Sequence, residues 1–316
     1  MHQTMIRNLF GRHALIVLAC LIASIALLES IDSSVLPWKS WKDSGHALVF
    51  GLAMYLMLEV LQQSTSGSRR LPVAAGIGGL LFLAGIAIEI VQPFFGREAS
   101  FTDITYNLIG IASGIVIFTA FHQQSRQRLL SLAGFVILLG LTLFRPVYDA
   151  YVVLKRDQAQ PYLLGFENAY EKMLWQPSPG AHISVVEAPV EWKSNTGQTA
   201  KISFLSGNYP GLSIPEIYPD WRGYTQLVFE VFSPEDTPVT ITVRINDLAH
   251  NNKHHDRFNR QLTVKPGKNR YVLPLSEVKN APQGRQLNIE QVAQVILFTG
   301  RPEHSLTLYF DNLHLE

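Results

Sequence analysis

Cysteine is almost missing. Cys20 is the only one in 316 residues and lies inside an apolar run, which excludes an intramolecular disulfide and any CxxC metal or redox site. Excess charge of one sign is missing too: 26 Lys and Arg stand against 25 Asp and Glu, for a net charge of +1. No basic stripe is interleaved with aromatics, so no nucleic-acid partner is expected. Charged residues of any kind make up only 16% of the chain. They are spread unevenly, with apolar residues concentrated before about residue 145 and polar ones after it. A whole-chain average therefore mixes two solvents and describes neither half. Catalytic signatures are lacking as well: the chain has no GxSxG nucleophile motif, and the apolar half has no metal-ligand spacing.

What is present is five apolar runs, at about 14–28, 45–61, 71–91, 105–121 and 129–144. A membrane span needs about 20 mostly apolar residues, with roughly 17 as the lower limit. The third run has that length alone, and the others reach it with their flanks. The first follows a basic segment, "MHQTMIRNLFGRH", as a signal peptide would, but no A-x-A site follows in "LLESIDSS". An uncleaved span is expected there. Gly76, Gly78, Gly79, Gly85, Gly110 and Gly114 suit close helix packing. Arg7, Arg12, Arg69, Arg70, Arg126 and Arg128 fall on one side of the spans, against Lys39, Lys42 and Arg97 on the other. Basic loops favour the cytoplasm, so the N-terminus is expected inside and everything after about residue 145 outside. The expected organisation is a five-span helical membrane domain over 1–144, a linker over 145–162 and an extracytoplasmic domain over 163–316. The expected location is the inner (cytoplasmic) membrane of a bacterial-type cell.

Polar residues gather at the outer ends of these runs, above all in "EIVQPFFGREASFTDITYNLIG", residues 89–110. Lys42 and His46 are four apart, Glu89 and Gln92 three apart, Asp103 and Asn107 four apart, and Arg97 lies in a short connection. Residues at those spacings share a helix face, so each span offers a polar pair to one place. Charges at such depth are costly and by default functional. Basic side chains beside outward-pointing helix N-termini suit a phosphate or carboxylate. His46 near a carboxylate suits proton transfer. The plainer alternatives are interfacial anchoring, helix capping by Thr102 or Asp103, and a polar lock that holds the bundle together.

"KDSGHALVFGLAMYL" followed by "GIAIEIVQPFFGREASFTDITYNLIGIASG" resembles the VanZ-like membrane family over about residues 35–120. Its pattern of Lys–His, E-x-x-Q, Arg and D-x-x-x-N with trailing glycines falls here on Lys42, His46, Glu89, Gln92, Arg97, Asp103, Asn107, Gly110 and Gly114. The resemblance implies a cell-envelope role. The family is named for low-level glycopeptide resistance, and similar proteins occur beside envelope polysaccharide genes.

Beyond the linker, helical periodicity gives way to short alternating runs. These are "HISVVEA", "AKISFL", "QLVFEVFS", "VTITVRIND", "QLTVKP", "RYVLPL", "QVILFTG" and "LTLYFDNLHLE". Turn signals such as "SPED", "KPGKN" and "TGRPEH" separate them, which predicts an all-β sandwich or jelly roll. The polar loop 246–260 carries His250, His254 and His255, which read as a zinc chelate or, more simply, as a solvated loop. Trp192, Tyr209, Tyr218, Trp221 and Tyr224 are available as sugar platforms or as core.

The segments "LGFENAY", "RINDLAHNNKHHDRFNR" and "LTLYFDNLHLE" are similar to the galactose-binding-like sandwiches of carbohydrate-binding modules. Many of these hold a structural calcium between an acidic residue near the first strand and one near the last. The resemblance places Glu167 and Asp311 in those positions; the alternative is that both simply end strands. The resulting expectation is an envelope membrane protein with an outer-face pocket for a membrane lipid or lipid-linked phosphate, and an exported domain for envelope polysaccharide. The alternative is an enzyme acting on a lipid-linked phosphate or glycan at the same surface.

Overall fold

The computed structural model describes residues 35–64, 70–95, 99–124, 126–192, 197–205, 209–300, 302 and 304–316. The first apolar run, Cys20 and Arg97 lie outside these residues. The chain divides into two compact units, Met1–Ala150 and Tyr151–Glu316.

The first unit is helical. Its described elements are α1 (Trp38–Ser64), α2 (Arg70–Val91), α3 (Phe101–His122) and α4 (Arg126–Gln158). All four are long and apolar enough to cross a membrane, and they carry the second to fifth apolar runs. Two boundaries differ from expectation. Helix α1 begins at Trp38, well before the apolar run, so Lys42 and His46 lie within its first turns. Helix α4 continues through the stretch read as a linker as far as Gln158. Pro146 removes one helical hydrogen bond there. The Arg145–Asp149 ion pair, 2.8 Å between Nε and Oδ1, brackets that position on one face.

Glycine lets α1 and α3 meet backbone to backbone. A Cβ on Gly110 would lie 2.4 Å from the Ala47 carbonyl oxygen, and one on Gly114 would lie 2.4 Å from that of Gly51. On α2, Gly85 leaves room for a side chain instead: a Cβ there would lie 2.6 Å from Nδ2 of Asn107. Gly76 and Gly79 have nothing within 4 Å, so the expected packing role does not extend to them. The apolar interior is small, built on Phe50, Met54, Leu58, Ile77 and Ile111. The large apolar side chains Leu48, Leu80, Leu83, Leu129 and Phe144 point outward instead, while His46, Glu89 and Asn107 are buried.

The second unit is a sandwich of two antiparallel sheets. The first runs β3 (Ala181–Glu187), β4 (Gln198–Phe204), β11 (Leu306–Leu315), β6 (Gln226–Ser233) and β9 (Gly267–Pro274), with β1 (Tyr162–Leu164) also on β11. The second runs β2 (Gln176–Pro177), β5 (Gly211–Ile214), β10 (Val292–Phe298), β7 (Val239–Asp247) and β8 (Phe258–Val264). A short helix, α5 (Leu275–Lys279), follows β9. All eight alternating runs form strands. Their inward residues, among them Phe229, Phe310, Val243 and Leu297, share one core cluster. Period-two alternation puts the intervening side chains on the outer faces.

Candidate functional site

In the helical unit the polar pairs converge. Nδ1 of His46 on α1 stands 3.2 Å from Oδ1 of Asn107 on α3. Its Nε2 is 4.0 Å from Oδ2 of Asp103, one helical turn away on the same face. Glu89, in the last turn of α2, accepts a 2.8 Å hydrogen bond from the backbone N–H of Ser100. Ser100, rather than Thr102 or Asp103, caps α3: its hydroxyl accepts from the Thr102 N–H at 3.2 Å. The extended backbone at Ser100 leaves Asp103 inside the first turn, where a carboxylate suits the positive helix end. His46, Glu89, Gln92, Asp103 and Asn107 are all buried, and Lys42 is half-buried. Arg145 of α4, read from the sequence as linker, acts electrostatically on Asp43 and Tyr106. The arrangement is a buried histidine between an amide and a carboxylate, with a second carboxylate joining α2 to the start of α3.

In the sandwich the two carboxylates expected at a calcium site each accept a backbone hydrogen bond. Glu167 is exposed and accepts from the Gln198 N–H at 2.8 Å. Asp311 is buried on β11 and accepts from the Asn312 N–H at 2.7 Å. Among the described residues no group of three or more His, Cys, Asp or Glu could hold a metal ion. His250 uses both ring nitrogens, accepting at Nε2 from Arg244 (3.2 Å) and donating from Nδ1 to the Asp256 carbonyl (2.9 Å). That wiring replaces the zinc reading.

Trp192 and Trp221 are fully buried, and Tyr218 and Tyr224 pack against the core. Tyr209, of the five aromatic candidates, lines a cleft of about 650 Å³ on the outer face of the second sheet. That size is within the usual range for ligand sites. Strand register builds the cleft floor. Ser213, Ile296, Arg244 and Asn259 are successive cross-strand partners on β5, β10, β7 and β8. Gly211, Phe298, Thr242 and Gln261 form the next outward row. The result is a groove running across the strands, about 14 Å for three strand spacings. The Tyr209 ring meets Phe298 edge to face at 5.6 Å. A Cβ on Gly211 would lie 2.7 Å from the Cβ of Phe298, so glycine makes room for that ring.

The loop beside the groove is pinned from below. Arg285 donates to both Asp247 oxygens, at 2.6 and 2.9 Å, and to Oδ1 of Asp256 at 2.5 Å. The Arg285 hydrogen bond, with that of the Asn251 N–H, holds the Asp256 carboxyl down at about 2. Burial pushes Asp247 up, but its bonds to Arg285 and the Asn288 N–H outweigh that and leave it lowered. The pin fixes the Asp256 carbonyl, which orients His250, which in turn receives Arg244. Arg244, Gln261, Ile296 and Phe298 were not singled out from the sequence. Their signal is the outward half of the alternation in "VTITVRIND", "QLTVKP" and "QVILFTG".

No protein-family model matches the chain, and no curated protein matches it in sequence. Among solved structures, the chain is similar to a family 11 carbohydrate-binding module from Clostridium thermocellum in complex with a β-1,3-1,4-mixed-linked tetrasaccharide. Identity is 16%, the TM-score 0.38, and 49% of this chain and 94% of that one are covered. A family 28 module specific for non-crystalline cellulose is similar at 12% identity and a TM-score of 0.35, covering 50% and 93%. An exo-β-agarase is similar at 18% identity and a TM-score of 0.40, covering 49% of this chain and 24% of that one. The match thus spans about a quarter of the agarase.

Proposed function

We propose that this is a multi-pass envelope protein that holds a glycan in the groove of its sandwich, as part of polysaccharide assembly or antibiotic resistance. The observation that carries the reading is the groove's composition. Tyr209 and Phe298 offer flat apolar rings, and Asn259, Gln261 and Arg244 offer planar hydrogen-bonding groups in cross-strand register. A sugar presents the complementary pair, an apolar ring face and a rim of hydroxyls.

In this reading α1 to α4 span the cytoplasmic membrane and the sandwich stands outside, in keeping with the loop-charge asymmetry. The outward Leu48, Leu80, Leu83 and Phe144, with His46, Glu89 and Asn107 buried beside a small apolar interior, support it, because hydrocarbon is the solvent that favours apolar side chains outside and polar ones within. The buried group of His46, Glu89, Gln92, Asp103 and Asn107, with Lys42, serves as a pocket for a lipid headgroup or lipid-linked phosphate; Arg97, expected beside it, lies outside the described residues. The test is a glycan array probed with the full chain in detergent micelles. Binding that is lost in Phe298→Ala at unchanged melting temperature supports the reading; no binding to any glycan overturns it.

One observation favours an enzyme instead: His46 lies between Asn107 and Asp103, as a proton carrier would. In that case the full chain releases phosphate or sugar from a short-chain lipid-linked substrate, and His46→Gln abolishes turnover without loss of folded protein.

A further inference from the structure

The described arginines of the second unit divide into two kinds. Arg156, Arg222, Arg260, Arg270 and Arg285 each pair with a carboxylate. Arg244 and Arg257 do not pair with a carboxylate among the described residues, and both are half-buried in the groove. Arg244 donates to neutral partners, Asn246 at 3.2 Å and His250 at 3.2 Å. Arg257 donates to Asn259 at 3.2 Å. Burial lowers both guanidinium groups, and the charge of Arg257 adds to the effect on Arg244. His254 is a fourth basic side chain of the lining, which contains no Asp or Glu among the described residues. Arg260, the other arginine of the lining, is committed to Glu277.

Two half-buried like charges in a cleft with no acid among its described lining residues carry a desolvation cost that an incoming anion would relieve. The planar guanidinium fork matches carboxylate and sulfate oxygens two at a time. We infer that the groove takes an acidic glycan, one carrying carboxylate or sulfate groups, and that Arg244 and Arg257 receive the anion. The inference rests on the glycan-binding reading of the same groove. Tyr209 and Phe298 hold the sugar ring in register while the two arginines select its charge. The Arg285 pin, acting through Asp256 and His250, presets the Arg244 guanidinium before the ligand arrives.

The experiment uses the full chain in detergent micelles against polygalacturonate, dextran sulfate and neutral dextran, with the glycan array beside them. The expected result is binding to at least one acidic polymer about tenfold or more tighter than to the neutral one. That preference should weaken as salt rises. It should also fall about tenfold in Arg257→Gln and Arg244→Gln. The polymer that binds identifies carboxylate or sulfate as the group received. Should Arg244→Gln fail to fold, Arg257→Gln decides. Equal binding of neutral and acidic glycans overturns this inference and leaves the glycan reading standing, whereas no binding to any glycan overturns both. Acidic binding that persists in both variants, or falls equally in Lys268→Gln on the other sheet, is non-specific polyanion attraction and overturns the inference.

Discussion

His46 and Asn107 stand 3.2 Å apart from Nδ1 to Oδ1, although 61 residues separate them in the chain. The contact joins α1 to α3 beside the glycines that bring their backbones together. In the proposed membrane reading, an interhelical hydrogen bond of this kind is worth on average about 0.6 kcal/mol. The bond alone is therefore a weak lock, and the acids around it distinguish a lock from a working pocket. Asp103→Asn and Glu89→Gln are nearly isosteric, and a glutamine at 89 still accepts from the Ser100 N–H. Both variants should accumulate at normal levels and melt close to the parent chain, yet lose a co-purifying anionic lipid detected by native mass spectrometry. Loss of folded protein instead identifies the lock.

The α1–α3 crossing predicts a sharp contrast among glycines. Gly110→Ala and Gly114→Ala place a Cβ 2.4 Å from backbone oxygens of Ala47 and Gly51, atoms that cannot swing aside. Each should cost about 1–3 kcal/mol as an overpacked contact. Gly76→Ala and Gly79→Ala meet nothing within 4 Å and should stay within about 0.5 kcal/mol of the parent. Thermal unfolding in detergent of the four variants checks this, and equal effects at all four would contradict the crossing.

Arg285 predicts a pH dependence with a definite sign. Its two carboxylate partners are lowered in the folded protein, Asp256 to about 2. Their stabilising contribution is therefore present above the ordinary aspartate value of about 3.9 and is lost as pH falls toward 2. The stability gap between the parent chain and Arg285→Met should be widest near neutral pH and close between about pH 4 and 2. Urea unfolding of both proteins across that range is the measurement. A gap that does not change with pH would show that the pin stabilises by packing alone.

The outline of both units was legible in the sequence, and the groove was not, for reasons that particular residues make plain. Alternation marked all eight long strands, because each buries one face. Strands β1, β2 and β5 have only three, two and four residues, and "GLSI" in β5 is buried throughout, so no period could announce them. Helical spacing brought His46, Asp103 and Asn107 into view, since i,i+4 pairs are local. The groove depends on register, which places Arg244 opposite Ile296 on one side and Asn259 on the other. No local pattern encodes that pairing. Arg257 and Asn259 were visible only as part of a polar loop. His250 looked like a metal ligand because its acceptor role depends on Arg244, a residue on a neighbouring strand segment.

Aromatic residues give the last prediction, because sequence alone could not sort platform from core. Trp221 is fully buried, and its indole N–H donates to the Tyr218 carbonyl at 2.7 Å. Trp221→Ala removes both the packing and that bond and should cost about 3–5 kcal/mol of stability. Phe298 points outward into the groove, next to Tyr209, so truncating it leaves the inner core intact. Phe298→Ala should melt within a few degrees of the parent chain while glycan affinity falls about tenfold, about 1.4 kcal/mol. Tyr209→Ala should lower affinity as well; alanine keeps the Cβ at this left-handed position, φ 59°, so the backbone cost there is unchanged. Melting curves and titrations on the three variants separate the two roles. An affinity unchanged in Phe298→Ala would remove the groove from contention as the sugar platform.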